Sequence, residues 1–281
     1  MRNKTIHPPR LTIAALIVAL SAFLYIYIYQ VEPFPSPWND FALKLELVVA
    51  AFLAAIIATH TWSRFKIDDA PRLVWMNFAL GLWCWAVAEL IWVIIFSVYG
   101  DVPIISLADI FWLVGLVPFT VAFVVQYRLI YSPPAWKETL SVWAVILSVI
   151  LASLLGTKLL HGITPAWKLF WVEALLQVFY AVTDLAMMLA ALSLAFTFGR
   201  GLWGRAWLGL LAFTLSDSLF SWITSSGLYA ISVERGNLLS LVVDCLYMLA
   251  YMLVALACYS QYLLVTHGPA LMPSSPSSNT Y

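Results

Sequence analysis

Charge is what this chain has least of. Only 10% of its 281 residues are Asp, Glu, Lys or Arg, and the two signs cancel to a net charge of zero. A soluble domain carries about 25% charged residues, so an ordinary water-facing surface is excluded. A neutral chain with scattered basic residues also gives nucleic acid nothing to bind, and no nucleic-acid partner is expected. Histidine is equally sparse. His7, His60, His161 and His267 lie far apart, and only His60 is near a long apolar run, which argues against a His-dependent intramembrane zinc hydrolase. Cys84, Cys245 and Cys258 fall at unrelated spacings, so neither a disulfide framework nor a metal knuckle follows, and they read as small apolar packing residues. A Gly-rich phosphate loop is missing, as is a mid-helix lysine for a Schiff base, and no cofactor is expected. Long soluble loops are missing too. No catalytic or signalling domain outside the membrane is expected, so function should rest on the helices or on a partner.

Apolar length is what remains. The composition is 63% hydrophobic and the mean hydropathy is +0.93. A membrane-spanning helix needs about 20 mostly apolar residues, and eight stretches qualify: 11–30, 42–63, 73–98, 107–130, 139–160, 169–198, 206–229 and 237–265. They are continuously apolar rather than alternating, which excludes a membrane barrel. The expected fold is an all-α integral membrane bundle of eight transmembrane helices lying in the lipid bilayer. The first run lacks a small-residue cleavage site and reads as a retained helix rather than a signal peptide.

Alternating the sides of the spans puts Arg2, Lys4, Arg10, Arg64, Lys66, Arg72, Arg128, Lys137, Arg200 and Arg205 on one face, with Lys44, Lys158, Lys168 and Arg235 on the other. The richer face holds both termini. By the positive-inside rule the expected location is the cell membrane with both ends cytoplasmic. One transmembrane domain over 1–266 is expected, followed by a Pro/Ser-rich disordered cytoplasmic tail over 267–281.

An internal repeat is suggested by Leu80-Gly81-Leu82 with Glu89 and by Leu208-Gly209-Leu210 with Asp217, where the acid follows the glycine by the same interval. Trp92 then corresponds to Phe220. Asp109 with Trp112 and Asp244 with Tyr247 extend the pattern. The halves would be about 11–131 and 139–266, two parallel four-helix repeats.

Seven acids fall inside the expected spans: Glu46, Glu89, Asp109, Glu173, Asp184, Asp217 and Asp244. An unpaired carboxylate at the bilayer centre costs about 2.5–3.5 kcal/mol on insertion scales, so these groups should face the bundle interior. Lys44 and Lys168 read as helix-end residues, leaving the acids without a basic partner in sequence. Helical spacing supports interior stripes: Glu173, Gln177, Tyr180 and Asp184; Thr214, Asp217, Ser218, Ser221 and Ser225; Ser240, Asp244, Tyr247 and Tyr251; Asn77, Gly81, Trp85, Glu89 and Trp92. The expectation is an acidic, aromatic-lined cavity opening to the outer face. Its candidate ligand-binding residues are Glu89, Asp109, Asp184, Asp217, Asp244, Trp85, Trp92, Tyr180 and Tyr247. Trp83, Trp85 and Trp92 could receive a flat ligand or a quaternary cation. Against this stands a plainer reading, in which each acid is an interhelical tie and each Trp a packing or interfacial residue.

The stretch Pro103-Ile104-Ile105-Ser106-Leu107-Ala108-Asp109, followed by Trp112-Leu113, resembles a multi-pass membrane sensor module found amino-terminal to bacterial GGDEF cyclases and histidine kinases. In that module an acid-bearing helix precedes a Pro-x-Pro-Ser-x-Ala-Asp entry to the next helix. Tyr180 with Asp184 looks like its Tyr-Pro-x-x-Asp element, and Asp217 and Asp244 fit its second-half acids. Ile105 and Ala181 depart from the pattern at its prolines, and an output domain is not seen. The resemblance implies a sensory module signalling to a separate cytoplasmic kinase or cyclase. A fainter similarity runs to the lysoplasmalogenase-like eight-helix membrane family, through Gly209, Phe213, Ser216 and Asp217, although Ala88 and Glu89 differ from its first-half pattern.

Three functional readings follow. A non-enzymatic module that binds a small-molecule or lipid ligand in its outer half is preferred. The alternatives are a proton- or cation-coupled transporter, and a lipid hydrolase using paired carboxylates as general base and acid.

Overall fold

The computed structural model describes residues 8–103, 105–130, 167–198 and 205–267. These form seven helices: α1 (Pro8–Val31), α2 (Trp38–Trp62), α3 (Ala70–Tyr99), α4 (Leu107–Ile130), α5 (Trp167–Phe198), α6 (Arg205–Ser225) and α7 (Leu238–His267). No strand occurs among the described residues. The span expected over 139–160 and the tail beyond His267 lie outside them.

Six of the helices are long and apolar enough to cross a bilayer, and the chain is a polytopic helical membrane protein. α1 to α5 and α7 each have 24 residues or more. At about 1.5 Å per residue each exceeds the roughly 30 Å hydrocarbon core. α6 has 21 residues and, with Thr214, Ser216, Asp217, Ser218 and Ser221 on it, is the least apolar of the seven.

Local chemistry sets the helix ends. Pro71 occupies the first turn of α3, where a missing N–H costs nothing. Asp69 accepts from the Lys66 N–H at 2.7 Å just before that turn. Gly100 ends α3 at φ +73°, a left-handed position that favours glycine, and its N–H caps the Phe96 carbonyl at 2.7 Å.

Around the bundle, α2 packs on α3, α3 on α4, α4 on α5, α5 on α6, α6 on α7, and α7 back on α2, closing a ring of six. α1 lies outside the ring against α7 and α2. Buried small residues bring α2 close to its neighbours: Ala50, Ala51, Ala54, Ala55 and Ala58. Thr61 adds a polar contact, its hydroxyl lying 3.0 Å from the Cys258 carbonyl on α7.

α3 and α6 run in the same direction. Phe78 meets Trp207 near their starts, and Trp85 meets Phe213 further along. Glycines allow the next helix to approach each. A Cβ on Gly81 would fall 2.7 Å from the Phe119 ring of α4, and one on Gly209 would fall 3.0 Å from the Val254 Cα of α7.

A candidate functional site of carboxyl and tyrosine pairs

Four of the acids expected within the spans each receive a tyrosine hydroxyl. Tyr251 of α7 donates to Glu89 of α3 at 2.8 Å. Tyr247, one turn earlier on α7, donates to Asp217 of α6 at 3.4 Å. Tyr180 of α5 donates to Asp109 of α4 at 2.9 Å. Tyr229, in the α6–α7 loop, donates to Asp244 of α7 at 3.0 Å. A phenol supplies a donor without importing a second charge, which suits a carboxyl group held away from water. Three of the four pairs join different helices.

Asp109 has a second role that is purely local. Ser106, Leu107, Ala108 and Asp109 form a capping box: the Ala108 N–H reaches the Ser106 hydroxyl at 3.2 Å, and Asp109 Oδ2 accepts from the Ser106 N–H at 2.7 Å. Its other oxygen takes Tyr180. One carboxylate thus starts α4 and ties it to α5.

Asp184 of α5 reaches a different acid. It is 4% exposed, and its carboxyl group makes a side-chain contact with that of Asp217. Its Oδ2 has no hydrogen-bond partner. With Tyr247 on the far side of Asp217, the sequence Asp184, Asp217, Tyr247 forms a polar thread from α5 through α6 to α7.

Aromatic rings fill the centre beside these pairs. Trp85 lies 4.6 Å from Phe119 and 4.5 Å from Phe213, ring centre to ring centre. Phe213 in turn touches Tyr247 at 4.9 Å and Tyr251 at 4.7 Å. Trp85 also donates its indole N–H to the Trp112 carbonyl at 3.1 Å, binding α3 to α4. Any shift of the acid-bearing helices is therefore felt by packed rings.

Lys44 was expected at a helix end, and the structure turns it inward. It is 8% exposed, and its ammonium donates to the Ile231 carbonyl at 2.8 Å. Asp244 and Asp40 lie within its electrostatic reach. It thus brings a positive charge towards these acids that helix-end placement had hidden. The same ammonium sits 5.3 Å from the Trp92 ring and 4.2 Å from the Phe96 ring, which stack on each other at 2°. The cation over Trp92 is the chain's own.

The α6–α7 loop closes over this cluster. Asp40 accepts from the Val233 N–H at 2.6 Å, Ser240 accepts from the Ala230 N–H at 3.0 Å, and the Tyr29 hydroxyl lies 3.4 Å from the Asn237 carbonyl. Burial, and then the neighbouring Asp244 charge, hold the Tyr229 phenol well above its usual range.

No protein-family profile, curated protein or solved structure matches this chain.

The candidate residues therefore fall into two groups. Glu89, Asp184, Asp217, Trp85 and Tyr247 come together at the centre, with Asp109 and Tyr180 joining α4 to α5 nearby. Asp244 and Trp92 belong with Lys44 under the loop. Tyr251 was visible as part of a helical stripe but not as the partner of Glu89. Lys44 and Tyr229 were not anticipated as site residues. Among the described residues, no group of three or more His, Cys, Asp or Glu side chains could hold a metal ion.

Proposed function

We propose that this protein is a ligand-sensing membrane module in which the carboxyl–tyrosine pairs act as exchangeable ties between helices. The observation that carries the reading is the pairing of Glu89 with Tyr251 beside that of Asp217 with Tyr247. Two adjacent tyrosines on α7 thereby hold α3 and α6 together. A ligand with its own hydrogen-bond donor or cationic group would compete for those carboxyl groups, release a tyrosine, and favour another helix arrangement. The preferred route outward is a separate cytoplasmic kinase or cyclase, as the resemblance to sensor modules implies.

In the topology that goes with this proposal, the chain crosses the membrane eight times with both termini cytoplasmic, and its ligand enters an outward-facing cavity. Two parallel four-helix repeats are supported by the common direction of α3 and α6 and by the matching close approaches at Gly81 and Gly209.

A second reading, proton-coupled transport, is favoured by one specific feature, the contact between Asp184 and Asp217 leading on to Tyr247. Intramembrane carboxyl groups in contact are the material of proton relays. Proteoliposomes with an imposed pH gradient separate the two. The sensor reading expects no flux above empty vesicles, and expects Asp217→Asn to change the partner's output in cells. Gradient-driven flux that Asp217→Asn abolishes would replace it with transport.

A further inference from the structure

α1 is buried most deeply towards its end, and its middle residues Val18 and Ala22 pack half-buried against the core. Its buried residues Tyr25, Ile28 and Tyr29 lie in its last two turns, where the Asn39 amide also holds the Ile28 carbonyl at 3.2 Å. Towards its start, Ile13, Leu16, Ile17 and Leu20 are 56%, 62%, 52% and 65% exposed. Exposed residues continue to the other end of the helix, at Phe23 and Val31, so α1 keeps an outward side along its whole length. Between α1, α2 and α7, towards the first residues of α1, lies a groove of about 260 Å³. Its walls are apolar, with Ile13 and Ile17 from α1, Leu53 and Ile57 from α2, and Leu256 from α7.

The mouth has a different character. Arg10 and Tyr259 are the lining residues nearest the end of the bundle. Tyr259 stacks on Tyr262 at 6.3 Å and 11°. Tyr262 in turn accepts a hydrogen bond from Arg64 at 3.2 Å, with the guanidinium 5.3 Å from its ring centre. Arg10 and Tyr259 thus rim an apolar slot at headgroup depth, with Tyr262 and Arg64 behind Tyr259, where such side chains meet the membrane interface.

We infer that this groove is a binding site for an anionic phospholipid, with one acyl chain between α1, α2 and α7 and the phosphate at Arg10. Shape and charge both point to this occupant. A detergent tail satisfies the apolar walls alone, and a zwitterionic lipid brings a phosphate whose charge its own ammonium offsets, whereas an anionic headgroup leaves net negative charge for the guanidinium. Arginine presents a planar fork of donors to phosphate oxygens, and Tyr259 adds an amphipathic ring at the same depth. The site is separate from the carboxyl–tyrosine centre and stands whether or not the sensor reading holds.

The test uses the full chain in phosphatidylcholine nanodiscs containing a minor share of phosphatidylglycerol with a photoreactive acyl chain. After irradiation, the labelled peptides should be those holding residues 10–18 and 252–259. Photoreactive phosphatidylcholine at the same share should label them on the order of fivefold less, the discrimination one arginine near a membrane surface provides. Arg10→Gln should remove that preference and Arg10→Lys should keep most of it. Because Arg10 is exposed at the start of a helix, neither change should disturb folding. Ala14→Trp, which fills the groove, should lower labelling by both probes with Arg10 in place. Equal labelling by the two lipids, labelling concentrated elsewhere, or a preference that survives Arg10→Gln would overturn the inference.

Discussion

Tyr251 and Glu89 stand 162 residues apart in sequence and 2.8 Å apart in space, a hydroxyl and a carboxyl group joined where α7 passes α3. Both are buried, Tyr251 completely and Glu89 to 2% exposure. Each polar group solves the other's problem. Without the carboxyl acceptor the phenol would waste a donor, and without the phenol the acid would lose its hydrogen-bond donor among aromatic rings.

Tyr251→Phe should therefore destabilise the bundle more than a ring substitution of nearly equal volume would suggest. Interhelical hydrogen bonds in membranes contribute about 0.6 kcal/mol on average, and a buried group left without its partner adds about 1–3 kcal/mol. The expected loss is about 1–2 kcal/mol, measured by unfolding in mixed micelles. In a double-mutant cycle with Glu89→Leu, which removes the acceptor, the two changes should be strongly non-additive. Simple additivity would mean that the bond carries no stability.

The glycines should be intolerant for a steric reason. At Gly81 an added methyl meets the Phe119 ring at 2.7 Å, and that ring is fixed between Phe78 at 5.5 Å and Trp85 at 4.6 Å. At Gly209 the obstacle is the backbone of α7. Gly81→Ala and Gly209→Ala should each cost about 1–3 kcal/mol, as overpacking of a filled interior does, whereas Gly100→Ala should act instead through its φ of +73°. Thermal midpoints of the three variants check the distinction. An unaffected Gly209→Ala variant would contradict the close approach of α6 to α7.

Much of this arrangement was legible in the sequence. Apolar length placed the helices because lipid demands it: 107–130 coincides with α4, and the span expected over 73–98 became Ala70–Tyr99. Helical spacing also put Glu89, Asp217 and Asp244 on interior stripes. What periodicity cannot give is the partner across the gap. Tyr251 and Glu89 share no local signal, and neither do Tyr180 and Asp109. Lys44 was misplaced because its burial depends on a loop nearly 190 residues away, through the Ile231 carbonyl. For Asp109, a candidate ligand residue, the capping box beginning at Ser106 explains part of its position by local backbone chemistry alone.

The α6–α7 loop should open when its latches are removed. Lys44→Met deletes the bond to Ile231 and removes a positive charge facing Asp244, and Asp40→Ala frees the Val233 N–H. Hydrogen exchange at Ile231 to Val233 should accelerate at least about tenfold in either variant, the change expected for about 1.4 kcal/mol of lost local stability. Exchange that stays at the parent rate would show that the loop is held by other contacts.

Alkaline pH should strain the same region. The Tyr229 phenol is raised in the folded protein above its ordinary value of 10.0. Above that pH the unfolded chain releases a proton that the folded chain retains, so this group's contribution is intact below pH 10 and is lost as pH rises beyond it. The slope for one proton is about 1.4 kcal/mol per pH unit. Tyr229→Phe should make stability above pH 10 less pH-dependent by up to that amount, as read from unfolding midpoints at successive pH values. Parallel profiles for parent and variant would contradict a buried, charge-facing Tyr229.

Native mass spectrometry of the protein extracted gently from its own membrane, beside the Glu89→Gln, Asp217→Asn double variant, tests the central claim most directly. A ligand held through the carboxyl–tyrosine centre predicts one defined small molecule or lipid retained by the parent and lost from the variant. Identical spectra for the two, showing only nonspecific lipid, would contradict a ligand site there and leave the pairs as ties between helices.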